Sequence, residues 1–176
     1  MTGDDALLLI KGNDFRAEGS VRLHGGNAVR YSVNKDKAEI VKVNFLPDDI
    51  SAEAMFQRMV LKQKEFSSII NKGRPLKRNV IRMEISPTKE ESAGWTLADW
   101  VRLANEYIRV FDSIDLSKKA KRASAKFTNV KNSQYVVALH HDAKSGIPHL
   151  HIDVNRVDMD GKVNDDHLIA ERAMSA

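Results

Sequence analysis

The chain of 176 residues contains no cysteine. This absence excludes disulfide bonds, thiol catalysis and cysteine-ligated zinc, and it leaves histidine and carboxylate side chains as the candidate metal ligands. The sequence also lacks an apolar run long enough to cross a membrane, and Asp4 and Asp5 near its start argue against a secretory signal. We therefore expect a cytoplasmic protein with no membrane span.

The length and the composition, 42% hydrophobic and 30% charged residues, are typical of one soluble globular domain. The net charge of +4 is modest, but the basic residues are clustered. Such clusters suit contacts with nucleic-acid phosphates, and the alternative is a solvated basic loop. One cluster comprises Lys118, Lys119, Lys121, Arg122, Lys126 and Lys131, and the other Lys72, Arg74, Lys77, Arg78 and Arg82.

The densest pattern of metal-ligating side chains lies in residues 148–156, where polar and apolar side chains alternate. Successive side chains of a strand point to opposite faces of the sheet. This predicted strand can therefore be anchored in a core on one face and bind a metal on the other. The polar face would carry His149, His151, Asp153 and Asn155, and the apolar face Leu150, Ile152 and Val154.

Residues 133–141 predict a second strand, because they are rich in β-branched and aromatic side chains. The polar residues 142–147 that follow have the composition of a turn. Two strands joined by a short polar loop indicate a hairpin, which would bring the histidines at its ends together.

The alternation of side chains distinguishes two adjacent histidines in the hairpin. His140 falls on the lighter face of its strand, whereas His141 belongs to the bulkier set that should face the core. We expect His140 to join His149 and His151, with His141 as the alternative if the strand end is irregular. Three converging imidazoles suit Mn, Co, Ni, Cu or Zn, while Mg prefers oxygen ligands. The competing interpretation is a pair of surface histidines.

The remaining pattern predicts helices between groups of strands, which favours an α+β fold with a central antiparallel sheet flanked by helices. Thr96 and Asp99 form a capping signal three residues apart at the start of one helix. Asp160 and Gly161 indicate a tight turn. The predicted elements are helices over 51–72, 96–112 and 167–173, and strands over 38–44, 79–86, 133–141 and 148–156.

The histidine hairpin resembles the third motif of conjugative and mobilization relaxases, which belong to the HUH endonucleases that cut single-stranded DNA through a tyrosine. That motif has His-x-Asp, a short gap and His-hydrophobic-His leading into Val-Asn-Arg. The resemblance spans about residues 25–172. Its segments are 134–142 and 149–157 for this motif, 27–37 for the tyrosine motif, 80–87 for the second motif, and 157–165 for the stretch that follows the histidines.

The resemblance implies that Tyr31 is the nucleophile; of the other tyrosines, Tyr107 lies on a helical apolar stripe and Tyr135 on a predicted core face. It implies a metal held by His140 (or His141), His149 and His151, with Mn or Mg in use and Zn, Co or Ni able to occupy the site. Supporting roles near the metal fall to Asp142, Glu84 and Asn155. DNA contacts fall to Arg82, Ser86, Lys118, Lys119, Lys121, Arg122 and Arg156.

We therefore expect residues 1–176 to be a single relaxase catalytic domain, cut down from a longer protein and monomeric as an isolated domain. It would nick single-stranded DNA at a transfer origin, forming a 5′-phosphotyrosyl link, with accessory mobilization and coupling proteins as partners. The alternatives are an HUH replication initiator or transposase, a metal-dependent phosphate-ester hydrolase, and a non-catalytic DNA-binding module.

Overall fold

The structure is a computed structural model that describes residues 7–11, 16–25, 27–141, 146–165 and 169. Six strands form one sheet in the order β1-β2-β4-β6-β5-β3, and every neighbouring pair is antiparallel. The sheet confirms the predicted α+β class. The strands are β1 (Leu7–Lys11), β2 (Arg16–His24), β3 (Glu39–Asn44), β4 (Val80–Pro87), β5 (Ser133–His140) and β6 (His149–Asp158).

Helices cover both faces of this sheet. They are α1 (Asn27–Asn34), α2 (Ala52–Glu65), α3 (Lys89–Ser92), α4 (Leu97–Ser113) and α5 (Ser117–Ala120), with 3₁₀ turns at Asn71–Gly73, Ala123–Ala125 and Val130–Asn132. No helix within the described ranges combines the length and the apolar character that crossing a bilayer would require.

Two separate apolar clusters hold the helices to the sheet. On one face, α4 packs its Trp100, Leu103, Tyr107 and Phe111 on the odd-numbered residues of β4 and β5 and on the even-numbered residues of β6. On the other face, α1 and α2 pack around Val80 and Val136. Because alternate residues of one strand enter different clusters, the strands are apolar on the α4 face and can carry polar chemistry on the other.

The predicted helix over 96–112 is confirmed as α4, and its start follows the expected capping signal. Asp99 Oδ2 accepts a hydrogen bond of 2.9 Å from the backbone N–H of Thr96. The predicted helix over 51–72 is too long, since α2 ends at Glu65. Phe66 follows the helix, and its ring packs directly against Gly161. A Cβ atom at position 161 would lie only 2.4 Å from Phe66 Cδ1, so only glycine fits there. Phe66 is thus packed against a residue that is remote in sequence, a contact that local periodicity does not reveal.

Asn155 is fully buried and joins α2 to the sheet. Its Oδ1 accepts from Gln63 Nε2 at 2.8 Å, and its Nδ2 donates to Met59 O at 3.1 Å and to Gln134 Oε1 at 3.0 Å. All the polar atoms of this amide are therefore used in holding α2 over the sheet, two residues along β6 from Asp153.

We expect Asn155→Ala to lower the free energy of unfolding by about 2–4 kcal/mol, because several buried polar groups lose their partner at once. Urea denaturation measures this change. The matched control is Asn105→Ala, which removes one exposed hydrogen bond from Lys42 and should change stability by less than about 0.5 kcal/mol. Equal, small losses in both variants would contradict the role of Asn155 in joining the two layers.

Candidate active site and metal centre

Three histidines of the β5–β6 hairpin meet on the face of the sheet that α1 and α2 cover. In the strand register His140 lies directly opposite His149, and Ala138 lies opposite His151. One ring nitrogen from each of the three histidines lies within 4.8 Å of the others. Two of the rings, those of His140 and His151, are buried, and their centroids are 4.0 Å apart. The cluster could hold a metal ion.

The hydrogen bond of His140 fixes which of its nitrogens can act as a ligand. Its Nε2 lies 2.7 Å from the backbone carbonyl oxygen of Ser32, in α1. Since a carbonyl oxygen only accepts, we assign the ring proton to Nε2. Nδ1 then carries the lone pair. The hydrogen bond from Nε2 to the α1 carbonyl fixes the orientation of the ring, as such a bond commonly does for histidines that bind metals.

His151 is held in a neutral form. Its Nδ1 accepts hydrogen bonds from Arg82 Nε at 3.2 Å and Nη2 at 2.7 Å. Burial, and after it the positive charge of Arg82, lowers the pKa of His151 below its usual value. Its buried Nε2 has no hydrogen-bond partner within the described part of the chain. While Nδ1 accepts from Arg82, the proton of the neutral ring is on Nε2. Nε2 becomes a metal ligand in the other neutral tautomer, which carries the proton on Nδ1.

Glu84 lies beside the same ring. Its Oε1 is 3.6 Å from His151 Nδ1 and 3.3 Å from Arg82 Nη2. A metal bound at Nε2 of a neutral imidazole requires the proton on Nδ1, where Arg82 donates in this structure. In that tautomer the Glu84 carboxylate is the neighbouring acceptor for the Nδ1 proton, after a small approach from 3.6 Å. Glu84 was expected to support the metal; it lies beside the histidine cluster, and its role stays a prediction.

Three further candidates were expected near the histidines: His141, Asp142 and Asn155. β5 ends at His140, and His141 is exposed and outside the group of three nitrogens. The expectation that His141 would share the core-facing set is wrong, because the strand ends before the alternation reaches it. Asp142 lies outside the described residues. Asn155, expected near the metal, is engaged in the α2 network described above.

Tyr31 stands on α1 above the histidine cluster and is 44% exposed. Its ring centroid lies 6.0 Å from that of His140 and 5.9 Å from that of His151. The ammonium of Lys35 donates a hydrogen bond of 2.5 Å to the phenolic oxygen. The guanidinium carbon of Arg82 lies 4.4 Å from the ring centroid. The phenol is thus bordered by two cations and by the candidate metal ligands.

The other two tyrosines are enclosed in the core on the α4 face. Tyr107 is fully buried, and burial raises the pKa of its phenol above the usual value. Tyr135 is 2% exposed. Neither shares the face on which the histidines lie, so Tyr31 is the tyrosine that lies beside the histidine cluster.

Sequence reasoning missed Lys35, and it placed Asp153 on the histidine face without assigning it a role in the site. Lys35 follows Tyr31 by one helical turn, a spacing that brings side chains together on a helix. However, α1 itself was not predicted. Asp153 is fully buried opposite Arg82 in the strand register. Burial raises the pKa of Asp153 to about 6, against the lowering effect of Ser32 and Arg82.

The candidates for DNA contacts fall in three places. Arg82 is inside the site, with 9% exposure, and Ser86 is exposed further along β4. Arg156 donates a hydrogen bond of 2.9 Å to the carbonyl oxygen of Arg78. The basic segment of α5 and the turn after it lies apart from the histidines, beyond the end of α4. In this segment Lys118, Lys119 and Lys121 are exposed, and Arg122 pairs with Asp165 at 3.5 Å.

Comparison with known proteins supplies a family for this arrangement. Residues 30–176 match the family model of the MobA/VirD2-like relaxase nuclease domain. No curated protein matches the chain, and no solved structure matches it. The family match covers more than four fifths of the chain, including Tyr31 and the three clustered histidines. The chain therefore belongs to the MobA/VirD2-like relaxases, whose nuclease domain binds and nicks DNA.

Proposed function

We propose that the chain nicks one strand of DNA by transesterification, with Tyr31 as the nucleophile. The phenolic oxygen attacks a phosphodiester phosphorus in single-stranded DNA and forms a 5′-phosphotyrosyl bond, while the bond from phosphorus to the 3′ oxygen breaks. The phenol loses one proton and the released 3′-hydroxyl gains one. The observation that carries this proposal is the position of the exposed phenol, 5.9–6.0 Å from two of the clustered histidine rings by centroid.

The cations around the phenol support its role as a nucleophile. A phenol is a weak nucleophile at neutral pH until it loses its proton. The Lys35 ammonium is hydrogen-bonded to the oxygen and would offset negative charge that develops there during the attack. Arg82 lies against the ring and fixes its position relative to His151. The same two cations would attract the phosphate that is to be attacked.

Two features of the histidine cluster fit a divalent metal ion. The tautomer of His140 leaves the lone pair on Nδ1, and His151 would offer its buried Nε2 once its ring proton has moved to Nδ1. His140, His149 and His151 would hold the ion, with Mn or Mg in use. An ion bound there would orient the non-bridging phosphate oxygens and offset the negative charge that develops on them.

The covalent product retains the energy of the phosphodiester bond, so a second 3′-hydroxyl can reverse the step and rejoin the strand. This chemistry suits strand transfer more than degradation. We propose that the DNA target is a transfer origin, that the activity initiates conjugative transfer of a plasmid or mobile element, and that accessory mobilization and coupling proteins deliver the single strand. We further propose that residues 1–176 act as one catalytic domain.

We expect Lys35→Gln to slow adduct formation by about 10- to 100-fold, the effect of losing a charge-assisted hydrogen bond to the developing phenolate. Rates are measured by quenching the reaction of wild type and variant with a cleavable oligonucleotide at intervals. Lys37→Gln is the matched control, because Lys37 is exposed two residues further along. If both variants react at the same rate, Lys35 has no role in activating Tyr31.

The experiment that tests the proposed function is a search for a covalent complex. Single-stranded and duplex oligonucleotides covering the DNA around the gene are incubated with the protein and Mn²⁺, then separated on denaturing gels. The proposal predicts a slowly migrating protein–DNA species on one strand at one position. Metal-dependent cleavage that leaves no such species would contradict it and favour a hydrolase. An adduct at a replication origin or an element end would reject the transfer role alone.

A further inference from the structure

A groove of about 890 Å³ opens at the opposite end of β6 from the histidines. It lies between the end of α4, the segment around the last two 3₁₀ turns, and the residues that follow β6. The lining residues that matter here are Lys126, Phe127, Lys131 and Lys162, together with Asp112 and Asp158. With about 3.3 Å per strand residue, His149 and Asp158 are separated by about 30 Å along β6.

Two buried carboxylates make the floor of this groove a fixed structure. Asp112 accepts hydrogen bonds from Thr128 Oγ1 at 2.7 Å and from the backbone N–H groups of Val130 at 2.8 Å and Lys131 at 2.9 Å. The carboxylate at the end of α4 therefore holds the loop that follows Phe127. An arrangement so fully hydrogen-bonded is pre-formed, which lowers the ordering cost of binding a ligand.

Asp158 holds the opposite wall in the same way. Its Oδ2 accepts from Asn129 Nδ2 at 3.0 Å, and its Oδ1 accepts from the backbone N–H groups of Asp160 and Lys162, each at 2.9 Å. The carboxylate oxygens of Asp112 and Asp158 thus accept hydrogen bonds from groups of the protein itself. The groups that the groove presents outward are the side chains of Lys126, Lys131 and Lys162, all of which are exposed.

Phe127 is the one aromatic ring that lines the groove within the described residues, and it is 52% exposed. The ammonium of Lys126 lies 5.5 Å from its ring centroid. A half-exposed aromatic ring among exposed lysines is the combination that binds unpaired nucleotides, since bases stack on the ring and phosphates pair with the ammonium groups. Duplex DNA offers the same phosphates but no free base face to stack.

We propose that this groove is a second binding site for single-stranded DNA, in which an unpaired base stacks on Phe127 and its phosphates contact Lys126, Lys131 and Lys162. The proposal rests on the proposed function in one respect, that the strand bound here is continuous with the strand nicked at Tyr31. At 3.4 Å per stacked nucleotide, about nine nucleotides span the distance between the two sites. The distal groove would hold the strand about that far from the cut.

The test is the affinity of the whole chain for fluorescent thymidine oligonucleotides of 6 and 20 nucleotides, measured by anisotropy without metal. Phe127→Ala should weaken binding of the longer probe by about 5- to 150-fold. Phe127→Leu should weaken it similarly, since it keeps an apolar side chain but not the ring, whereas Phe127→Tyr should retain the affinity. The control is Leu61→Ala, which removes a side chain that is 62% exposed on α2.

Equal binding by wild type, Phe127→Ala and Phe127→Leu would overturn the proposal, as would an equal loss of affinity for a blunt duplex. The lysines give an independent measure. Replacing both Lys126 and Lys162 by glutamine should reduce the slope of log affinity against log salt by about 1.4. The same replacement of the exposed control pair Lys64 and Lys89 should reduce the slope by less. An equal change in both pairs would also overturn it.

The test of the groove can be separated from the test of the proposed nicking reaction. Adduct formation with a short oligonucleotide that reaches only Tyr31 should be unchanged in Phe127→Ala, because Phe127 lines the groove at the Asp158 end of β6, which is about 30 Å along the strand from His149. If adducts form normally while the groove variants bind as wild type does, the second site is rejected and the nicking reaction stands. If no adduct forms but the groove variants lose affinity, the nicking reaction is rejected and the second binding site stands.

Discussion

Tyr31→Phe is expected to reduce formation of the covalent protein–DNA complex by at least about 10³-fold, the scale of losing a catalytic nucleophile. The substitution removes one oxygen atom from a side chain that is 44% exposed, so the fold and the affinity for single-stranded DNA should be retained. Quantitative denaturing gels measure the complex, and anisotropy with an uncleavable oligonucleotide measures the binding.

Tyr107→Phe is the matched control for this substitution. Its phenolic oxygen is buried and has no hydrogen-bond partner within the described residues, so its removal should be tolerated. Adduct formation should remain at the level of the wild type. If instead Tyr31→Phe reacts normally and a different tyrosine variant loses the complex, the nucleophile has been assigned to the wrong residue.

The second large effect is expected at the metal centre. His151→Ala should weaken the binding of Mn²⁺ by at least about 100-fold, because the loss of a ligand exceeds the 10- to 100-fold effect typical of residues that only support one. Titration calorimetry measures the affinity. Thermal unfolding provides a second measure, since Mn²⁺ at 100 times its Kd should stabilise the wild type by about 2.7 kcal/mol and the variant far less.

His141→Ala separates the cluster from its immediate neighbour. His141 is adjacent to His140 in the chain but exposed and outside the group of three nitrogens. The variant should bind Mn²⁺ and form adducts as the wild type does. A loss of affinity in His141→Ala with normal affinity in His151→Ala would require a different set of ligands from the one proposed.

The hairpin could be predicted from sequence because its information is local. Alternation in residues 133–140 and 149–158 places each side chain on a face, and the register then brings His140 opposite His149. The helix α4 is predictable for the same reason, since its apolar stripe and its capping pair lie within one segment. The turn at Asp160 and Gly161 is also present, with Gly161 at a φ of 85°.

The amino-terminal elements could not be predicted in this way. β2 carries a glycine and several charged residues, and it is ordered by pairing with β4 along eight residues that are distant in sequence. α1 is only eight residues long and buries just Ala28, Val29 and Ser32. Its position depends on the sheet beneath it. The contacts of Tyr31 with Lys35 and Arg82 were missed for this reason. The helix predicted over 167–173 falls almost wholly outside the described residues.

The most direct test of the account is to identify the amino acid that carries the DNA. The isolated covalent complex is digested with nuclease and then with trypsin, and the peptides are sequenced by mass spectrometry. Cleavage after Arg30 and Lys35 gives a five-residue peptide, Tyr31–Lys35, which we predict will carry the nucleotide on Tyr31. A nucleotide on the peptide that contains Tyr107 or Tyr135, or on a residue other than tyrosine, would contradict the central claim.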